Sequence, residues 1–207
     1  MINLQAQTQT LVDPKYLVKL TPENSLLVMV DYLTGFLPGL RTMDKETYIN
    51  NVTALAKIGQ IFQLPTIILG DEGGFRGEFF PEISQYLSHG LRVERHTPSA
   101  WREPKFVEAL QKFNRPKIIM AGISIDNCVL QTALDVLSAG YEVYVVVDVS
   151  GTESKLVEDA AILRLTQAGA VMTNWVSLAS ELMADWNSST GDEVGKLYQE
   201  HSKWGES

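Results

Sequence analysis

The chain has 207 residues, 45% of them hydrophobic and 20% charged, a composition that folds into a core and excludes a disordered polymer. Its 17 Lys and Arg are scattered and outnumbered by 25 Asp and Glu, giving a net charge of -8; without a basic face, no nucleic acid is expected as a partner. The opening residues lack a basic n-region and no apolar run reaches the length of a membrane span, while a single cysteine excludes an intrachain disulfide, so a cytoplasmic chain with no membrane partner is expected.

The length supports one core and no linker divides it, so a single domain over residues 1–207 is expected. After a flanking segment at 1–24, "LLVMV" (26–30) reads as a first buried strand. "KETYINNVTALAKIGQIF" then places Ile49, Val52, Leu55, Ile58 and Ile61 at helical spacing. "PTIIL" (65–69) and "LRVE" (91–94) read as the second and third strands, and "EPKFVEALQKF" as a helix through Phe106, Val107, Leu110 and Phe113. "KIIMA" (117–121) is the fourth strand. The helix in "CVLQTALDVLSAGY" carries Val129, Ala133, Val136 and Leu137 inward and stops at Gly140, a residue suited to a left-handed C′ position. "EVYVVV" (142–147) is followed by "KLVEDAAILRLTQAGA", which ends likewise at Gly169, and by "AVMTN" (170–174). Residues 186–207 are expected to form a terminal helix packed on the body or on a neighbouring subunit.

Six near-continuous apolar strands alternating with helices predict a six-stranded parallel sheet inside a three-layer αβα sandwich. The Rossmann-like order 3-2-1-4-5-6 is expected, and eight units for a TIM barrel are lacking. In such sheets the functional crevice lies beyond the carboxyl ends of the strands, where the order reverses. Asp31 follows the first strand, Arg95 the third, and Cys128 lies just past the fourth. Strands one and four are neighbours in the expected order, so Asp31 and Cys128 stand side by side.

An acid beside a thiol can act as its base. Cys128 also opens a helix, capped by Ser124 or Asp126, whose positive end favours thiolate. Arg95 would add to that bias. Singly, each residue has a plainer explanation: a buried small hydrophobe, a turn residue and a solvated cation. Their meeting at one sheet edge favours catalysis.

Three motifs carry a family resemblance. "VMVDYLTGF", "RHTPSAW" and "AGISIDNCV" are similar to the aspartate, lysine and nucleophile motifs of the isochorismatase-like cysteine hydrolases, over residues 24–180. The resemblance implies that Cys128 attacks a small amide or other C–N bonded carbonyl, with Asp31 taking its proton and a thioester forming. It also implies a cis peptide between Ile123 and Ser124, with the backbone N–H groups of Ser124 and Cys128 as oxyanion hole. Position 95 holds Arg where the family has Lys; this, with "VVDVSGT" and its sequel to residue 175, resembles the YcaC-like branch. Arginine is permanently charged and does not shuttle a proton at neutral pH, which opens the alternative of a non-hydrolytic small-molecule binder or thiol redox sensor.

Nicotinamidases of the family carry a histidine-containing metal site after the second strand, whereas "LGDEGGFRGEFF" offers Asp71 and Glu72 without histidine. Neither zinc nor another cofactor is expected. His89, His96 and His201 lack ligand spacing. Cleavage of isochorismate needs no cysteine, so Cys128 points away from it. The glycine-rich "GDEGGFRG" (70–77) is neither a dinucleotide fingerprint nor a Walker loop and reads as a rim or lid loop. Tyr32, Phe36, His96 and Trp101 are candidate pocket walls. The partners expected are a small-molecule substrate and, since family members commonly assemble, further copies of the chain.

Overall fold

The computed structural model describes residues 14–203; the expectations for residues 1–13 and 204–207 lie outside them. Six strands form one sheet: β1 (Ser25–Val30), β2 (Thr66–Leu69), β3 (Leu91–Val93), β4 (Lys117–Gly122), β5 (Glu142–Val146) and β6 (Val171–Thr173). All neighbours pair in parallel, in the order β3-β2-β1-β4-β5-β6. This is the order expected from the sequence.

The apolar runs are continuous because both faces of the sheet are covered. From β1, Leu27 and Met29 face one core with Val52, Leu55 and Ile58 of α1 (Lys45–Ile61) and Leu178 of α6 (Trp175–Met183). Leu26, Val28 and Val30 face the other, with Phe106 and Leu110 of α3 (Pro104–Phe113), Val136 of α4 (Leu130–Ser138) and Leu165 of α5 (Lys155–Gln167). Each fully buried aliphatic side chain contributes about 1.5–3 kcal/mol, so β1 anchors both layers. The short α2 (Pro81–Ser84) sends Ile83 into the first of these cores.

Local signals bound the elements. Asp44 caps α1 by accepting from the Thr47 N–H at 2.8 Å, and Asn174 caps α6 by accepting from that of Ser177 at 2.8 Å. Gly140 and Gly169 leave α4 and α5 with φ of 93° and 96°, the left-handed reversal that glycine adopts without a Cβ clash. The edge strands β3 and β6 have three residues each, shorter than the apolar runs suggested; short edges leave little unpaired backbone. The terminal helix is α7 (Gly191–His201), which packs on the body: Val194 and Leu197 join the first core, and the Tyr198 ring meets Trp175 edge-on at 5.8 Å.

Candidate active site

The site grows from the seam between β1 and β4. Val30 is paired with Gly122, and the Ile123 N–H donates to the Val30 carbonyl at 3.1 Å. A Cβ at position 122 would overlap that carbonyl, so only glycine lets the two strand ends approach this closely. Immediately after Val30, Asp31 takes φ 53°, a left-handed conformation that Asp tolerates better than most residues. The Leu33 N–H closes the turn on the Asp31 carbonyl at 2.6 Å.

On the β4 side the Ile123–Ser124 peptide is cis. The turn is held from outside: the Gly122 N–H donates to the Ser150 hydroxyl at 3.2 Å and the Ile125 N–H to the Gly151 carbonyl at 3.2 Å. Ile125–Val129 then forms a π-helical turn, and regular α-helix begins at Leu130. This corrects the expected helix start at Cys128 and its cap. Ser124 makes no side-chain cap and the Asp126 Oδ1 atom is buried without a partner among the described residues; instead the Ser124 carbonyl accepts from the N–H groups of Asn127 and Val129. The wide turn presents Cys128, 7% exposed, ahead of α4. Single π turns recur at functional sites.

Arg95 reaches over from beyond β3. Its Nε atom donates to Asp31 Oδ1 at 3.2 Å and its Nη2 atom to Oδ2, a fork-on-carboxylate pair with side chains 8% and 4% exposed. Its Nη1 atom donates to the carbonyls of Thr97 and Pro98. The segment carrying it is tied to α4: the Ser99 hydroxyl donates to Asp135 at 2.6 Å, and the Ala100 N–H to the buried Thr132 hydroxyl at 3.0 Å. Glu103 accepts from the His96 N–H and the Thr97 hydroxyl, and the His96 N–H in particular holds its carboxyl below the ordinary range.

Asp31, Arg95 and Cys128 line one open cavity of about 280 Å³, together with Phe36, His96 and Asn127. Two candidate wall residues fall elsewhere. Tyr32 is 1% exposed in the core, its hydroxyl donating to the Val149 carbonyl at 2.8 Å and its ring against Tyr48 and Phe80, because the left-handed residue Asp31 breaks the strand alternation that would have put Tyr32 on the same side as Val30. Trp101 packs on the second core, outside the cavity lining. His96 is exposed at the rim, its ring 3.0 Å from Glu94. The loop after β2 supplies wall residues that sequence reasoning did not single out, Phe75 and Arg76. Its glycine-rich composition was the one signal for a rim, but nothing in it indicated which side chain turns inward.

Among the described residues no group of three or more His, Cys, Asp or Glu is arranged to hold a metal ion. No helix among them is long and apolar enough to cross a membrane. A larger cavity of about 640 Å³ between α1 and the end of α7 shares none of the three residues.

The isochorismatase domain model matches residues 25–177 of the chain. A probable hydrolase of Escherichia coli, YcaC, is 31% identical over 186 residues, covering 89% of each chain. The crystal structure of the E. coli YcaC product, described as an octameric hydrolase of unknown specificity, superposes with a TM-score of 0.84 at 32% identity, covering 89% of this chain and 91% of that one. YcaC from Pseudomonas aeruginosa, solved with hexane-2,5-diol and covalent acrylamide, gives a TM-score of 0.84 at 35% identity, over 88% of this chain and 91% of that one.

Proposed function

This chain belongs to the isochorismatase family of hydrolases, and we propose that it acts there as a cysteine-dependent hydrolase of a small amide or other C–N bonded substrate. The observation that carries the reading is the meeting of Cys128 with the Asp31–Arg95 pair on one cavity. In the proposed reaction the Cys128 thiol gives its proton to Asp31 while sulfur bonds to the carbonyl carbon, moving the C=O electron pair onto oxygen. The N–H groups of Ser124 and Cys128 are the proposed donors to that oxyanion. Its collapse breaks the C–N bond, the leaving amine takes the proton from Asp31, and a thioester remains. Water then adds with Asp31 as base, releasing the acid and returning the proton to sulfur.

Arg95 has a fixed part in this scheme. It occupies two acceptor positions of Asp31, and an ionised carboxylate offers about four, so the thiol proton still has a place to go. The arginine holds the carboxylate in orientation and carries no proton itself. The acrylamide adduct of the P. aeruginosa relative supports a reactive thiol, since thiolates add to such electrophiles. The octameric E. coli relative supports a homo-oligomer; the proposed scheme takes one domain per chain, in the cytoplasm, and routes no step through a metal or organic cofactor.

The engagement of both Asp31 oxygens by Arg95 favours a second reading, a small-molecule binder or redox-sensing thiol without turnover. Intact-mass measurement after incubation with an amide library separates the two. An acyl adduct on Cys128, with turnover abolished by Cys128→Ala, is expected; undiminished turnover by that variant refutes the mechanism, and oxidation or reversible binding alone supports the second reading.

A further inference from the structure

Arg76 differs from Arg95, the other arginine of the cavity. Its guanidinium lies 4.6 Å from the Phe36 ring centroid and 4.9 Å from that of Phe75. Phe75 is 91% exposed, an apolar ring held in solvent beside the cation it stacks on. Rings near a guanidinium attract it through their π faces and leave its edge N–H donors available. Among the described residues Arg76 has no carboxylate partner, whereas Arg95 in the same cavity has its donors taken by Asp31, Thr97 and Pro98. The cavity therefore contains one cation that is internally satisfied and one that is not.

The backbone that carries Arg76 is fixed. Its carbonyl accepts from the Gly35 N–H at 2.7 Å, and the Thr34 N–H donates to the Glu78 carbonyl at 2.9 Å. A Cβ on residue 35 would overlap the Arg76 backbone, so the glycine permits the loop to sit against the chain leaving β1. A tight turn with a bridge between Gly74 and Gly77 presents the arginine beside Phe36. The lining also includes Asp71, whose carboxylate forms no ion pair among the described residues and repels a second anionic group.

We propose that Arg76 is a specificity-determining residue and that the substrate carries a single carboxylate, bound by the Arg76 fork, in addition to the carbonyl attacked by Cys128. The proposal rests on the hydrolase reading of the same cavity. It makes the substrate class a monoanionic amide, with the neutral C–N end directed at the thiol and the acid end at the rim.

The test compares succinamate with its neutral analogue succinamide, which differs at the remote end. For the unmodified protein kcat/KM is expected to favour succinamate by about tenfold or more, the factor appropriate to a charge-assisted pair. In Arg76→Met the ratio falls towards one, and in Arg76→Lys it is intermediate because the planar fork is lost. Calorimetry of both compounds with Cys128→Ala reads the same preference as a ratio of Kd values without requiring turnover. Succinamate binding that depends on Arg76 without turnover in the unmodified protein sustains this inference and sinks the hydrolase reading. Turnover of either amide without a preference for succinamate does the reverse. A preference unchanged in Arg76→Met, or no succinamate binding at millimolar concentration, overturns the role of Arg76.

Discussion

Replacing Arg95 by Met removes both donors of the Asp31 carboxylate, whose side chain is 4% exposed. The orphaned charge has little access to water. Breaking a buried pair from one side costs about 3–5 kcal/mol, mostly as the penalty on the remaining ion. The lost bonds to the Thr97 and Pro98 carbonyls add roughly 1 kcal/mol each at most, since water reaches the rim. Asp31→Asn with Arg95→Met leaves two neutral groups of similar volume, and that double variant is expected within about 2 kcal/mol of the unmodified protein. Urea unfolding at pH 7 of all four proteins gives the cycle, with the m-value checked for constancy. The reasoning fails if Arg95→Met is destabilised by less than about 1 kcal/mol, or if the double variant loses the sum of the two single losses.

Asp148, beyond β5, accepts from the Trp175 N–H at 3.0 Å, yet burial raises its carboxyl to about 6. A folded value above the unfolded one near 3.8 favours folding below about pH 4 relative to neutral pH, and that contribution disappears as pH rises through about 6. Asp148→Asn keeps the acceptor without the charge, so it is expected to stabilise by up to about 3 kcal/mol at pH 8 and by little at pH 4. Equal effects in thermal melts at the two pH values would contradict this. Gly122→Ala forces a Cβ against the Val30 carbonyl; a loss of about 1–3 kcal/mol is expected, with iodoacetamide labelling of Cys128 changed because the thiol turn is displaced. A melt and a labelling rate matching the unmodified protein would show that the strand ends can part without cost.

The sheet order was readable because the four inner strands are buried on both faces, which leaves uninterrupted apolar runs bounded by helical periods, while the edge strands β3 and β6 are only partly covered. The placement of Asp31 and Arg95 was readable for a related reason: a polar residue at the end of such a run stands at the sheet edge whatever the loops do, whereas Cys128, six residues past β4, reaches that edge through the turn and π-helical segment that follow the strand. The reading failed one residue further on. Tyr32 follows Asp31 in sequence but faces the core, and only the left-handed turn at Asp31 decides which of the two meets the cavity. Thr132, Asp135 and Ser150, which brace the site from α4 and the loop after β5, leave no local pattern, since a hydroxyl on a helix face has the same sequence signature whether it is solvated or bonded across 30 residues. Arg76 was hidden by the same ambiguity within a glycine-rich loop.

The sheet holds a second buried cation at its other end, and the contrast between the two bears on function. Lys117 begins β4, is 2% exposed, and donates to Glu142 at 2.6 Å and to the Tyr144 hydroxyl at 2.8 Å. Burial alone would lower its ammonium, but the hydrogen bonds to Glu142 and Tyr144 hold it above its ordinary value. Those partners lie on the adjacent strand β5, so this pair ties neighbouring strands near their amino ends. Arg95 and Asp31 instead come from beyond β3 and β1, with β2 between those strands, and their pair faces a cavity that also contains the one thiol of the chain. A pair that merely joined strands would not need to span that interval or border an opening. Parallel strands have their carboxyl ends on one edge, where the connections diverge at the order reversal; there a charge pair can be buried on one side and border a cavity on the other, as the Asp31–Arg95 pair does, which is the placement the proposed reaction needs.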